Sequence, residues 1–166
     1  MKVETLTQEN YKIYGDVIAA RSEVSPKPAN HGTAERYNGL ANLSNMRPIE
    51  ASANICVFRS QPNKGNTFTA KLLERHSLST QMFVPMNCMK RYLVLVASGK
   101  ERPDLSTLKA FIAAPNQGIT YHPGTWHHPL IALDRETDFA CLVYEDGTRD
   151  DCETHQLERA ISIDLG

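Results

Sequence analysis

The chain has 166 residues, with 18 Lys and Arg against 19 Asp and Glu for a formal charge of −1, and is 41% hydrophobic and 22% charged. That balance excludes a disordered chain and predicts one domain over residues 1–166. It also lacks the bulk positive field of a nucleic-acid binder, and apolar stretches such as 92–97 and 139–144 fall far short of the about 20 residues a membrane helix needs.

The N-terminus is polar and no apolar signal core follows it, so a cytoplasmic protein is expected. The four cysteines, Cys56, Cys88, Cys141 and Cys152, form no Cys-x-x-Cys unit. Their scatter reads as reduced thiols, with Cys56 and Cys141 buried in apolar runs.

In chain order, residues 7–18 predict a short helix with Thr7 as N-cap and Glu9 and Asn10 in its first turn. Residues 22–32 read as a loop, punctuated by Pro26 and Pro28 and closed by Gly32. From residue 54 onward the pattern turns to short strands rich in Val, Ile, Leu and aromatics: 54–59, 67–73, 81–84, 92–97, 108–112, 130–133 and 139–144. Turn signals around Gly65, Gly99, Gly118 and Gly147 separate several of them. Residues 102–106 predict one helical turn. The spacing predicts an all-β sandwich or barrel, because a parallel α/β fold needs long helices between its strands.

Two clusters carry the chemistry. The first holds Glu74, His76 and Gln81, a carboxylate, an imidazole and an amide, with Lys71 expected on the same side as His76. The second holds His122, His127 and His128, three of the six histidines within seven residues, beside the only Trp, Trp126. Imidazoles grouped in this way suit a metal or general acid–base work near neutral pH.

These residues resemble two known patterns. Glu74-x-His76-x4-Gln81 and Pro123-Gly124-x2-His127 resemble the paired motifs of the cupin superfamily, with Glu and Gln replacing the outer His and Glu, Cys88 where the first motif ends in Gly, and the second motif one residue shorter. A narrower resemblance is to the ureidoglycolate lyase family. It rests on residues 14–18 (Tyr-Gly-Asp-Val-Ile), Glu35-Arg36-Tyr37, Leu73-Glu74-Arg75-His76 with Ser79-Thr80-Gln81, residues 103–111, and Tyr121-His122 with Trp126-His127-His128-Pro129. Pro123 stands where that family often has Arg.

The resemblance implies a small cupin-like β-barrel or jelly roll with a short N-terminal helix, assembled as a homodimer. It implies cleavage of ureidoglycolate to glyoxylate and urea in allantoin degradation, an amidine-lyase reaction. Glu74, His76 and His127 are the implied acids and bases, Gln81 would hold the urea, and Arg36 with Tyr37 would hold the carboxylate. His122 is either an orienting residue or a hydrogen-bonded turn residue. If a divalent metal takes part, Ni²⁺ or Zn²⁺, its ligands would be Glu74, His76, Gln81 and His127; metal-free action stays equally open. The competing reading is a non-catalytic sensor on the same barrel that binds a small carboxylic acid such as glyoxylate. Both readings require Glu74, His76, Gln81 and His127 to converge on one cavity.

Overall fold

The computed structural model describes residues 1–47, 51–87, 90–148 and 152–166; Cys88 lies outside them. In chain order the elements are β1 (Glu4–Thr5), α1 (Gln8–Tyr11), β2 (Val17–Ile18), β3 (Lys27–Ala29), β4 (Ala34–Arg36), β5 (Ser52–Ser60), β6 (Thr67–Arg75) and β7 (Gln81–Pro85). They continue with β8 (Tyr92–Ala97), β9 (Lys109–Ala113), β10 (Gly118–Tyr121), β11 (Trp126–His127), β12 (Ile131–Ala132), β13 (Thr137–Glu145) and β14 (Glu153–Asp164).

Two sheets carry the fold. One runs β1-β9-β8-β11-β6-β14, with β12 also on β8; the other runs β2-β10-β7-β13-β5. A core shared by both sheets joins Tyr92, Val94, Val96 and Phe111 of the first to Phe83, Ile119 and Phe139 of the second. Among the described residues, apart from one α-helical turn and two short 3-10 turns, the regular structure is β, as the strand pattern predicts. β8 is buried at all six positions. Tyr92, Val94 and Val96 enter the shared core, while Leu93, Leu95 and Ala97 join a second cluster with Trp126, Leu73 and Ile163. A strand covered on both faces reads as an unbroken apolar run, and 92–97 has that form.

The predicted helix over 7–18 is corrected to one turn. Thr7 does cap it, its hydroxyl accepting from the Asn10 amide while the Asn10 side chain accepts from the Thr7 amide. The chain then leaves the helix so that Val17 and Ile18 can pair with Ile119 and Gly118. Gly15 sits in that exit against β10, where a Cβ would come within 1.8 Å of the Thr120 carbonyl oxygen. Only glycine fits such an approach.

The expected strands appear, with 54–59, 67–73, 81–84 and 139–144 longer than expected, 108–112 shifted by one residue and 130–133 shortened to Ile131–Ala132, and the turn at 102–106 is a 3-10 turn over Leu105–Thr107 capped by Asp104. The strand pattern missed β1 to β4, β10, β11 and, most of all, the twelve-residue β14, and the loop expected over 22–32 holds β3 and a 3-10 turn over Asn30–Gly32. β14 closes the edge beside β6, pairing Glu153 with Arg75 and Thr154 with Glu74. Its polar sequence suits an edge strand, and its period-two signal is broken in the middle: Glu153, His155 and Leu157 are half-buried, Glu158 to Ala160 are exposed, and the alternation resumes with half-buried Ile161 and buried Ile163.

Cys141 is buried, and half-buried Cys56 lies opposite it on β5. Burial pushes the Cys141 thiol up, so it remains protonated at neutral pH.

Candidate active site

The end of β6 and the short β11 are neighbours in one sheet, and the start of β7 lies in the other. Glu74 is the residue directly opposite His127 in the β6–β11 ladder. Their side chains face each other, with His127 Nε2 3.6 Å from Glu74 Oε1. His76 follows β6 by one residue. One ligand atom each from Glu74, His76 and His127 lies within 4.8 Å of the others.

His127 is 1% exposed. Tyr121 stacks on one side of its ring at a centroid distance of 3.8 Å and 9°, and His76 lies near-parallel at 5.8 Å. The Thr125 carbonyl oxygen lies 2.9 Å from Nδ1. A carbonyl only accepts, so Nδ1 carries the proton, and in the neutral ring Nε2 presents its lone pair to Glu74. Two acceptors facing each other at that range call for a proton or a cation between them.

Burial pushes the Glu74 carboxyl up, but a proton held between it and His127, with smaller contributions from His76 and His128, outweighs that and holds the carboxyl below its ordinary value. The group is therefore a carboxylate at neutral pH.

A cavity of about 370 Å³ opens beside this cluster, lined by Glu74, His76 and Gln81, with Phe58, Phe83 and Leu130 among its apolar walls. Gln81 is 5% exposed, and its Oε1 has no hydrogen-bond partner among the described residues. Tyr121, which stacks on His127, is the cross-strand neighbour of Gln81. The structure thus brings Glu74, His76 and Gln81 to one cavity, with His127 buried behind Glu74.

The turn carrying His76 is pinned from both sides. Glu153, at the start of β14, accepts from Arg75 Nη2 at 2.7 Å and from Ser77 Oγ at 2.6 Å. The Gly124 amide donates to the His76 carbonyl at 2.8 Å. Cys152 also lines the cavity, its thiol 3.9 Å from Glu74 Oε2. Sequence reasoning missed Cys152 and Glu153 because they sit in the polar run that hides β14.

Other sequence candidates lie elsewhere. Arg36 is on the two-stranded β3–β4 hairpin, with Tyr37 just beyond it, and neither lines the cavity. His122 pairs with Asp16 at 3.4 Å, and Asp16 also meets the Gln8 side chain and the Asn42 amide. That cluster ties the N-terminal segment to the turn after β10.

Lys71 is exposed; as an odd position it does not share the parity of Glu74 and His76, and the expectation that it joins them is corrected. Trp126 is buried, with the Arg75 guanidinium 4.7 Å from its ring centroid. His128 rests edge-on against Phe68. Asp138 holds Arg59 through two hydrogen bonds of 2.8 and 3.0 Å.

The ureidoglycolate lyase family model matches residues 1–164. A ureidoglycolate lyase of Salmonella typhimurium is 41% identical over 164 residues, covering 95% of this chain and 98% of that protein. One of Burkholderia cepacia is 37% identical over 170 residues, covering 99% and 90%. Among solved structures, a dTDP sugar isomerase of Desulfovibrio desulfuricans overlaps 87% of this chain and 85% of its own at a TM-score of 0.49 and 16% identity. Matched along nearly its whole length at these identities, the chain belongs to the ureidoglycolate lyase family.

Proposed function

We propose that this protein cleaves ureidoglycolate to glyoxylate and urea as an amidine-lyase of allantoin degradation, acting as a cytoplasmic homodimer. The observation that carries the reading is a carboxylate, Glu74, kept ionised by adjoining imidazoles at the wall of a cavity, in a chain of this family.

The substrate carries a hydroxyl and a ureido nitrogen on one carbon. Cleavage moves the hydroxyl proton to the departing nitrogen while the C–N bond breaks and the C–O bond becomes a carbonyl. The Glu74 carboxylate takes the hydroxyl proton. His76, which lines the same cavity, delivers a proton to the nitrogen. His127, fixed by the Thr125 carbonyl and by Tyr121, keeps Glu74 charged and oriented. Gln81 Oε1, buried without a partner among the described residues, accepts an N–H of the urea group.

The triad also fits a divalent cation such as Ni²⁺ or Zn²⁺. Two imidazoles and a carboxylate converge, His127 offers Nε2 once Nδ1 is committed to Thr125, and Gln81 Oε1 is the available fourth donor. Such an ion, when bound, polarises the hydroxyl or the urea carbonyl.

The dimer is supported by β5, an edge strand on which Ile55, Val57 and Phe58 are 73%, 57% and 48% exposed. The reading is tested by following glyoxylate and urea released from ureidoglycolate by purified protein, together with elemental analysis of the same sample. Equimolar release above the uncatalysed rate supports it.

A further inference from the structure

The β3–β4 hairpin stands apart from the rest of the chain. It pairs with neither main sheet, and among the described residues none of the hydrogen bonds from residues 27–37 reaches outside that segment. Its tip is tightly bent: Asn30, His31 and Gly32 all take positive φ, at 50°, 56° and 89°. An arm built in this way has a defined shape and no hydrogen bond to the rest of the described residues.

The arm also carries uncompensated charge. Lys27 and Arg36 are directly opposite each other in its ladder. Both are exposed, and neither has an ion-pair partner among the described residues. Like charges in that relation repel and destabilise the hairpin, so an anion placed between them is a net gain.

The cavity has the complementary lack. The substrate of the proposed reaction bears a carboxylate. The only Lys or Arg among the described residues lining the cavity is Arg59, whose guanidinium is already bound by Asp138 and faced by Glu136. Glu136 and Asp138 together take up that guanidinium, and the imidazoles beside Glu74 face its carboxylate. Beside the cavity runs β5, with its apolar side chains uncovered.

We propose that the arm completes the site of a second copy of this chain: in the dimer, the partner's Arg36, with the partner's Lys27 beside it, binds the substrate carboxylate at the Glu74 cavity. This rests on the function proposed above and adds to it the residue that recognises the acid end of the substrate. Arg suits that role because its planar fork pairs with both carboxylate oxygens. A two-fold dimer exchanges two arms and builds two equivalent sites.

The experiment is subunit complementation. Arg36→Ala and Glu74→Gln are purified separately, assayed for glyoxylate release, then mixed under conditions that exchange subunits, with heterodimers counted by native mass spectrometry. Each variant alone is expected to lose most activity. With exchange in trans, a heterodimer holds one site with both lesions and one with neither, so a statistical mixture regains about a quarter of wild-type activity.

Heterodimers without regained activity overturn the proposal, because an arm acting on its own chain leaves both sites broken. A wild-type protein that is monomeric at assay concentration, or an Arg36→Ala variant with unchanged kcat/KM, also overturns it. Wild-type protein that leaves ureidoglycolate intact overturns the functional reading itself, a result distinct from active wild-type protein with no complementation.

Discussion

Two histidine–carboxylate pairs of similar length have opposite surroundings. His122 and Asp16 are 3.4 Å apart and their side chains are 37% and 21% exposed. His127 and Glu74 are 3.6 Å apart at 1% and 21%. Asp16 spends its oxygens on the Gln8 side chain, the Asn42 amide and His122, so its charge is consumed in tying segments together. Glu74 has imidazoles and one weak thiol donor, and its charge faces a cavity. Separation alone does not mark a reactive pair. What distinguishes the second is a buried imidazole with one nitrogen committed, and a carboxylate left with capacity to accept.

The largest expected effect lies at the second pair. Glu74→Gln keeps the size and removes the base, and kcat should fall by about 10²–10⁴-fold. Asp16→Asn is the matched change at the first pair and should leave kcat/KM within about threefold of wild type. Equal losses in the two variants would erase the distinction between the pairs.

Next in size is Glu153→Gln. It loosens the turn holding His76 without touching the cavity wall, and a loss of about tenfold or more in kcat is expected, in line with other residues that orient reactive groups. Wild-type kinetics in this variant would show that His76 needs no such support.

A third effect is on stability against pH. The Glu74 carboxyl is lowered in the folded protein by the imidazoles around it. A carboxyl more acidic folded than unfolded stabilises the fold above its unfolded value of about 4.3, and that contribution disappears as pH falls through the lower folded value. Wild type should therefore melt higher than Glu74→Gln near neutral pH, with the gap closing below about pH 4. A gap that widens on acidification would reverse the assigned sign.

The smallest expected effect is that of His122→Asn. Its partly exposed contact with Asp16 should contribute no more than about 1 kcal/mol, measured by thermal melting.

Much of the fold was legible because it is written in local pattern. The run 92–97 is a strand covered on both faces, and the Thr7 cap is a side-chain motif that needs only its own helix. The helix end was not legible, because it depends on Thr120, more than a hundred residues away, crowding Gly15. β14 was concealed by its charges, and with it Glu153 and Cys152. At the site, the pairing of Glu74 with His127 is a property of the β6–β11 register. The residue types were visible in sequence, but their separation across the ladder was not. Arg36 was visible as a cation suited to a carboxylate, whereas its seat on a free hairpin appears only in three dimensions.

The most direct test is a paired time course of glyoxylate and urea from ureidoglycolate, run with wild type and Glu74→Gln at equal concentration. The expected result is equimolar release by wild type, and release at or near the uncatalysed rate by the variant. Equal rates in the two proteins would contradict the assignment of Glu74 as the group that drives the cleavage.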